Sequence, residues 1–322
     1  MPATTTSPAR ADRDDNPGRP RAGAPAAPAR RRRRIPVPLV LLLPAAVVLI
    51  PLFGYPLYQL GLLSFLDFGQ EQASGGVPAR FVGLDNYRTL FGDRQFWDVL
   101  TQTVVFAGAC VVGTLAVGAA LAVLLTRVGK WPRLILMFAA LGAWAAPAMT
   151  GATVWMFLFD TNLGLVNDVL GMDGHNWMYD KWPAFALVGA VVVWHSFPFV
   201  MITLYAGIQA IPGSVLEAAR LDGASTWTTF RRVMLPMLRP ILTIVVIQSV
   251  IWDFKVFTQV YVMTNGGGIA GQNLTLNVYA YQKAFAADDY SLGSAIGVVM
   301  TLILLAVTAV YIRALRRSGE AL

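Results

Sequence analysis

The sequence predicts an all-α membrane protein with six transmembrane helices, a helical cytoplasmic loop, and both termini on the cytoplasmic side. Of its 322 residues, 56% are apolar and only 13% are Asp, Glu, Lys or Arg, whereas soluble domains carry about 25% charged residues. Its mean hydropathy is +0.57. Six long apolar stretches account for this excess, so the composition indicates an integral membrane protein and excludes a soluble enzyme.

Each of the six stretches can cross a hydrocarbon core of about 30 Å, which takes about 20 helical residues. They are expected to be helices because a backbone in lipid must satisfy its own hydrogen bonds. The first is far longer than the apolar core of a signal peptide and is expected to stay attached. Pro147 and Pro198 are expected to kink the third and fourth. The predicted spans lie near 35–66, 99–126, 134–159, 183–209, 241–264 and 292–312.

The distribution of Lys and Arg predicts the orientation of these spans. Nineteen of the 25 basic residues lie in 1–34, 127–133, 210–240 or after the last span, and five lie in the segments of the opposite face. Because basic residues accumulate on the cytoplasmic face, both termini and the 210–240 loop are predicted to be cytoplasmic.

The first 34 residues are predicted to be a disordered, basic cytoplasmic tail. They hold nine Arg and three Asp among Pro and Ala, and they lack the apolar residues needed to fold. Arg30–Arg34 abut the first span and are expected to contact membrane lipid headgroups; a topology signal with no further role is the alternative. The remainder is close to neutral, so no nucleic-acid partner is expected. Residues 35–322 form the predicted membrane domain, with its core at about 99–314.

The chain has few of the cysteine and histidine residues on which catalytic and metal sites usually depend. Cys110 is the single cysteine, and His175 and His195 are the two histidines, so no internal disulfide and no metal site of known spacing is predicted. A G-x-x-x-x-G-K-[ST] phosphate loop is also missing. We therefore expect no catalytic residue, no metal and no cofactor here. His195, in the fourth span, is expected to bond a neighbouring helix rather than a substrate.

The 210–240 loop is polar enough to lie outside the bilayer, yet it is patterned as two short helices. Ser214 and Glu217 have the spacing of a capping box, in which each side chain satisfies an amide at the start of a helix. Gly223 then tolerates the left-handed conformation that ends a helix. The loop is therefore predicted to form a compact helix–turn–helix knob.

The second helix of the knob is predicted to run from Ser225 or Thr226 to Leu235, where Pro236 interrupts it. Across both helices the sequence reads E-A-A, three residues, G, nine residues, then V-M-L-P. This pattern resembles the EAA motif of ATP-binding-cassette importer permeases, with Val233 in the place of the usual Ile. Its position in a cytoplasmic loop between the fourth and fifth of six spans also resembles that family.

Other stretches resemble the maltose-type, carbohydrate branch of these permeases, so that the resemblance covers about residues 35–315. F-V-G-L-D-N-Y at 81–87 is similar to an outer segment of that branch. The glycine run of the family often continues with proline, whereas Gly268 is followed here by Ile269. Further matching residues are Tyr55, Pro56, Ser64, Phe65, Trp155, Phe159, Gly164, Asn167, Trp194, Pro198, Phe199, Asp253, Phe257, Tyr261, Thr264 and Gly293–Ala295.

The resemblance implies a permease subunit, not an enzyme, in the bacterial cell membrane. By that resemblance its partners are a second homologous permease, an ATPase dimer that binds ATP–Mg, an external solute-binding protein and a sugar. A glycerol phosphate ester is the alternative solute, and an ion-coupled secondary transporter or a membrane-embedded enzyme is the alternative outside the family. The residues that the resemblance assigns to ATPase coupling are Glu217, Ala218, Ala219, Asp222, Gly223, Leu235 and Pro236.

The fifth span carries the polar residues that are expected to border the solute path. An ionisable residue at mid-span costs about 2.5–3.5 kcal/mol on insertion scales, so these groups are not expected to face lipid. Four of them share one helical stripe, whose aromatic and hydrogen-bonding groups suit a sugar. Bonding to the partner permease is the alternative. The residues of the stripe and its neighbours are Gln248, Trp252, Asp253, Lys255, Phe257 and Gln259.

Overall fold

The structure is a computed structural model that describes residues 37–317. The predicted tail at 1–34 lies outside the described residues. Fourteen α-helices are described: α1 (Val37–Leu63), α2 (Gln70–Ala73), α3 (Asp85–Gly92), α4 (Arg94–Arg127), α5 (Lys130–Ala145), α6 (Ala148–Leu158), α7 (Leu165–Leu170), α8 (Lys181–Gln209), α9 (Gly213–Leu221), α10 (Thr226–Thr229), α11 (Leu235–Phe254), α12 (Thr258–Met263), α13 (Leu276–Tyr281) and α14 (Tyr290–Arg317).

Shorter elements complete the described chain. Two π-helical turns cover Phe230–Met234 and Gln282–Ala286, and a 3-10 turn covers Ile269–Gly271. The strands β1 (Leu66–Asp67) and β2 (Arg80–Phe81) form a small antiparallel pair, a minor exception to the predicted all-α fold. All features discussed below belong to the compact unit that begins at Tyr55.

The described part of the chain holds five helices that are long and apolar enough to cross a membrane, or six if one sharply bent pair counts as a span. The bent pair is α5 and α6, whose axes differ by 104°. The kink predicted at Pro147 in the third span is therefore confirmed, and it is sharp enough to divide the span into two helices. Ala146 precedes Pro147 and takes an extended conformation with ψ of 136°, because the proline ring disfavours the helical conformation of the residue before it.

The core of the bundle is built on close packing between α4 and α8. Gly118 on α4 lies directly against Val200 on α8, so that a Cβ at residue 118 would come within 2.6 Å of the Val200 side chain. Gly113 makes a similar approach to Val193, at 2.9 Å. Glycine lets the two backbones approach closely, which is the usual packing device of membrane helices. Helix α8 continues through Pro198 without ending.

A buried network of polar contacts stabilises the connection between α6 and α8. Asn167 is buried, donates its side-chain amide to the carbonyls of Asp160 and His175, and accepts a hydrogen bond from the Trp177 indole. The Asp160 carboxylate accepts backbone N–H groups from residues 162 and 163, and these bonds lower the pKa of that carboxyl. A Cβ on Gly164 would meet the Asp160 backbone at 2.3 Å. Gly164 and Asn167, which match the family pattern, therefore stabilise the structure of this connection.

Arg133 ties the short turn between α4 and α5 to the rest of the bundle. Its guanidinium donates hydrogen bonds to the carbonyls of Leu125 and Val128, both at 3.0 Å. It also lies 5.8 Å from the centroid of the Tyr205 ring on α8. One planar side chain thus satisfies carbonyls left unpaired at the end of α4 and contacts the helix that leads into the knob.

We expect Arg133→Lys to destabilise the protein by about 1–3 kcal/mol, because an ammonium cannot make the two forked hydrogen bonds and the ring contact together. Thermal unfolding of the purified protein in detergent measures the effect. The control is Arg127→Lys, since Arg127 is exposed and makes no side-chain hydrogen bond to residues 37–317. Equal melting temperatures for the two variants would contradict the role of Arg133.

The fifth predicted span is also discontinuous. Helix α11 ends at Phe254, Lys255 leaves the helical conformation with ψ of 5°, and helix α12 begins at Thr258. The side-chain amide of Asn277, on α13, donates a hydrogen bond to the Lys255 carbonyl. This contact replaces a bond that a continuing helix would have made. The span predicted at 241–264 therefore lies within one membrane-length helical stretch, Trp227–Met263, but it is interrupted at residues 255–257.

Candidate functional site

A cavity of about 360 Å³ opens between α5, α8 and the broken fifth span. Its walls combine indole rings, an imidazole, a carboxylate, an ammonium, hydroxyls and an amide. Five of the six residues predicted to border the solute path line it; Gln248 is the exception and lies elsewhere on α11. The lining residues are Trp144, Val192, His195, Ser196, Trp252, Asp253, Lys255, Val256, Phe257, Thr258 and Gln259.

The break in the fifth span decides which predicted residues meet. Gln248, Trp252, Lys255 and Gln259 would form one stripe on a straight helix. The helix is interrupted between Phe254 and Thr258, so the four residues do not lie on one continuous helix. Trp252, Lys255 and Gln259 of the predicted stripe nevertheless line the cavity, together with Asp253.

Asp253 has an unusual environment for a carboxylate. Its side chain is 1% exposed, and neither carboxylate oxygen has a hydrogen-bond partner among the described residues. A buried polar group without a partner costs free energy, and such a group in a native structure calls for a ligand, a water or another chain. Asp253 also borders the cavity, so it is a candidate acceptor for a solute bound there.

Aromatic rings supply an apolar wall beside this acceptor. The Trp252 ring packs against Phe199 with centroids 5.1 Å apart, and Phe199 in turn lies 6.4 Å from Trp144. Both indole side chains line the cavity. A flat aromatic face next to hydrogen-bonding groups fits a ligand with apolar C–H faces and hydroxyl edges.

His195 makes a bond between helices, as the sequence predicted. Its Nε2 lies 3.1 Å from the carbonyl of Ala146, at the bend between α5 and α6. A carbonyl only accepts, so Nε2 is the donor and the tautomer is fixed by this contact. His195 therefore satisfies a carbonyl left at the bend, and it holds one rim of the cavity in place.

The second candidate site is the predicted knob, whose first helix is α9. The predicted capping box does not form: Pro212 is the N-cap, and the Ser214 side chain makes no capping hydrogen bond. The helix begins two residues earlier than a Ser214 cap requires, which places Ser214 inside the first turn. At the other end, Gly223 has φ of +74°, the left-handed conformation that the sequence predicted for it.

The second half of the knob differs from its prediction. Ser225 accepts a hydrogen bond from the Thr228 N–H at its Oγ, and α10 begins after it. The helical path then widens into the π-helical turn Phe230–Met234 and continues into α11. Pro236 does not interrupt this path, because it lies in the first turn of α11, where its missing N–H needs no partner.

The exposed surface of the knob carries an acidic side chain and apolar side chains. Glu217 and Ala218 are exposed, whereas Ala219 is buried against the bundle. Leu221 is 89% exposed and Trp227 is 67% exposed. The sequence analysis did not identify these two residues as candidates for binding a partner. A leucine and a tryptophan within an otherwise polar loop could have indicated them. Apolar groups this accessible outside a membrane span mark a surface for a protein partner.

A helical membrane bundle with a polar cavity between its helices and a knob on one face defines the class of solute permeases. Residues 114–318 match the family described as binding-protein-dependent transport system inner membrane component. The chain belongs to that family, which confirms the resemblance seen in the sequence. Members of the family are transport subunits rather than catalysts.

Three named relatives match most of the chain. The diacetylchitobiose uptake system permease protein DasB of Streptomyces coelicolor is 40% identical over 287 residues, which is 87% of this chain and 87% of that protein. The sulfoquinovosyl glycerol transport system permease protein SmoG of Agrobacterium fabrum is 35% identical, over 86% and 89% of the two chains. The trehalose/maltose permease MalF of Thermococcus litoralis is 34% identical, over 74% and 81%.

A solved structure supports the fold. A chain of a bacterial alginate ABC transporter, in complex with an alginate pentasaccharide-bound periplasmic protein, superposes with a TM-score of 0.75. The match has 17% sequence identity and covers 88% of this chain and 95% of that one. The likeness confirms the coarse prediction of a predominantly helical, multi-pass permease fold.

Proposed function

We propose that this chain is the membrane permease subunit of an ATP-driven importer that carries a sugar into the bacterial cell. The buried, unpartnered carboxylate of Asp253 beside the indole of Trp252 carries the proposal, because a sugar offers hydroxyl donors and apolar faces together. The names of relatives support the same solute class, since they refer to diacetylchitobiose and to trehalose and maltose.

The proposed complex contains a second homologous permease, an ATPase dimer and an external solute-binding protein. The exposed Glu217, Leu221 and Trp227 support docking of the knob in a groove of the ATPase, because together they offer one charge and an apolar anchor pair. The knob then transmits ATP-driven closure to α8 and α11, which flank the cavity. The excess of basic residues supports cytoplasmic placement of the knob and both termini.

We further propose that ATP and Mg²⁺ bind the partner ATPase and that this chain needs no cofactor of its own. The sequence supports this division because it carries no phosphate-binding loop. Outer segments around α3, α7 and α13 would receive the solute-binding protein. The alginate transporter, whose solved complex includes a periplasmic protein, supports that arrangement by analogy of fold.

Reconstitution of the purified complex tests the proposal. The chain is isolated from its native membrane with the proteins that accompany it, identified by mass spectrometry, and placed in vesicles with a labelled panel of mono-, di- and trisaccharides and glycerol 3-phosphate. We expect a second permease and an ATPase to copurify and sugar uptake to require ATP. Uptake by this chain alone without ATP, or preference for the phosphate ester, would overturn the proposal.

The turn at Gly223 gives a prediction that separates backbone geometry from side-chain contact. Among the described residues, no atom lies within 4 Å of a Cβ placed on Gly223, so within that part of the chain its φ of +74° is the constraint that remains. Asparagine tolerates this conformation, whereas valine is strained there by about 1–3 kcal/mol. We expect Gly223→Val to lower ATP-dependent uptake about tenfold and Gly223→Asn to retain most of it. Equal losses in both variants would show that φ is not what matters.

A further inference from the structure

A continuous series of aromatic rings leads away from the cavity along the broken fifth span. Phe257 lines the cavity and stacks on Tyr261, with ring centroids 5.1 Å apart and planes inclined by 17°. Both rings contact Tyr281 of α13, at 5.3 Å from Phe257 and 5.2 Å from Tyr261. The cavity wall therefore continues into an aromatic surface on a different helix.

The series extends further toward the face proposed to be external. Tyr281 lies 5.0 Å from Phe285, and Phe285 lies 5.9 Å from Tyr290 at the start of α14. Exposure increases from Phe257 and Tyr261, which are half-buried, to Tyr281, which is 38% exposed, and Phe285, which is 61% exposed; Tyr290 is half-buried again. These five residues, Phe257, Tyr261, Tyr281, Phe285 and Tyr290, are called the aromatic ladder below.

Polar groups lie beside the end of the aromatic ladder that is nearest the cavity. The Asn277 side chain, one turn before Tyr281, donates its amide N–H to the Lys255 carbonyl, and its Oδ1 accepts no hydrogen bond from residues 37–317. Lys255 is exposed and lines the cavity. The ladder is therefore bordered by an amide oxygen and an ammonium, which can bond hydroxyls while the rings contact apolar faces.

We infer that the aromatic ladder is a second saccharide subsite, which holds the sugar rings that extend outward from a ring bound in the cavity. The inference rests on the proposed sugar import and adds to it a substrate class, namely oligosaccharides of two or more linked rings. The distances between the rings support this inference, because each ring contacts the next and together they form one unbroken surface. A belt of interfacial aromatics facing lipid is the competing role for such residues, and the experiment distinguishes the two.

The test uses the full importer complex in vesicles with two series of labelled sugars: N-acetylglucosamine with its β-1,4-linked dimer and trimer, and glucose with maltose and maltotriose. In the series that the unmodified complex transports, Tyr281→Leu and Phe285→Leu should raise KM for the trisaccharide about threefold to tenfold, the loss of one aromatic contact. The monosaccharide KM should stay unchanged. Tyr281→Phe keeps the ring and should retain wild-type values.

Phe157→Leu is the matched control, because Phe157 is an exposed aromatic on α6 that lies outside the ladder and outside the proposed docking segments. Copurification of the ATPase with each variant reports folding and assembly. A KM change that is equal for all ring numbers, or no change at all, would overturn the inference and leave sugar import intact. Failure of the unmodified complex to transport any of these sugars with ATP would instead contradict the proposed function, and the inference with it.

Discussion

Charge reversal at Glu217 is expected to reduce ATP-dependent sugar uptake about a hundredfold while the chain remains inserted in the membrane. Glu217 is exposed on α9 and forms no ion pair with any residue in the described range, 37–317. Its carboxylate is therefore available to a partner. Placing a lysine at a desolvated charge contact costs several kcal/mol, through lost attraction and new repulsion, and about 2.7 kcal/mol corresponds to a hundredfold change.

The measurement compares uptake, ATPase copurification and membrane content of the Glu217→Lys chain with those of Ser214→Ala. Ser214 lies on the same helix but makes no capping hydrogen bond, so its substitution should leave all three quantities close to wild type. Loss of the ATPase together with uptake is the expected result for Glu217→Lys. Wild-type uptake in that variant would exclude α9 as the coupling helix.

Asp253→Asn is expected to raise the KM for sugar about tenfold to a hundredfold without lowering the stability of the protein. The two effects separate because the carboxylate has no hydrogen-bond partner within the described chain. Hydrogen bonds to a charged acceptor contribute about 1.5–3 kcal/mol, and the neutral amide cannot replace both acceptors. Removing an unpaired buried charge also relieves its desolvation, so the melting temperature should stay constant or rise.

Gln248→Leu is the control for this experiment, because Gln248 lies on α11 with Asp253 but does not line the cavity. Its KM should match that of the wild type. If Asp253→Asn instead lowered the melting temperature and uptake together, the carboxylate would have a structural role, either in packing within this chain or in a bond to the partner permease. If Gln248→Leu raised KM as strongly as Asp253→Asn, the cavity would not be the binding site.

Sequence alone predicted the spans and the left-handed turn at Gly223, because both depend on local properties. Span length follows from a run of apolar residues, and a left-handed turn follows from a glycine at the end of a helix. The bend at Pro147 was also predicted, from the proline itself, but the break after Phe254 could not be predicted in the same way. Hydropathy reports that a segment is apolar but not that it is straight, and residues 255–257 contain neither proline nor glycine.

The cavity depends on these breaks, so its composition was predicted better than its shape. The break after Phe254 is held by Asn277, which is 22 residues away in sequence and contributes a bond that no local pattern reveals. The capping box failed for a local reason. Its pattern at Ser214 is valid, but Pro212 is the N-cap and α9 begins at Gly213, two residues earlier than a Ser214 cap requires.

Two helices end beside the same cavity, and each end is bonded by a side chain from another helix. A helix end leaves carbonyl groups without partners inside the helix. His195 of α8 donates to the Ala146 carbonyl after α5, and Asn277 of α13 donates to the Lys255 carbonyl after α11. The shape of the cavity therefore depends on the positions of α8 and α13, and a displacement of either helix would reshape one of its walls.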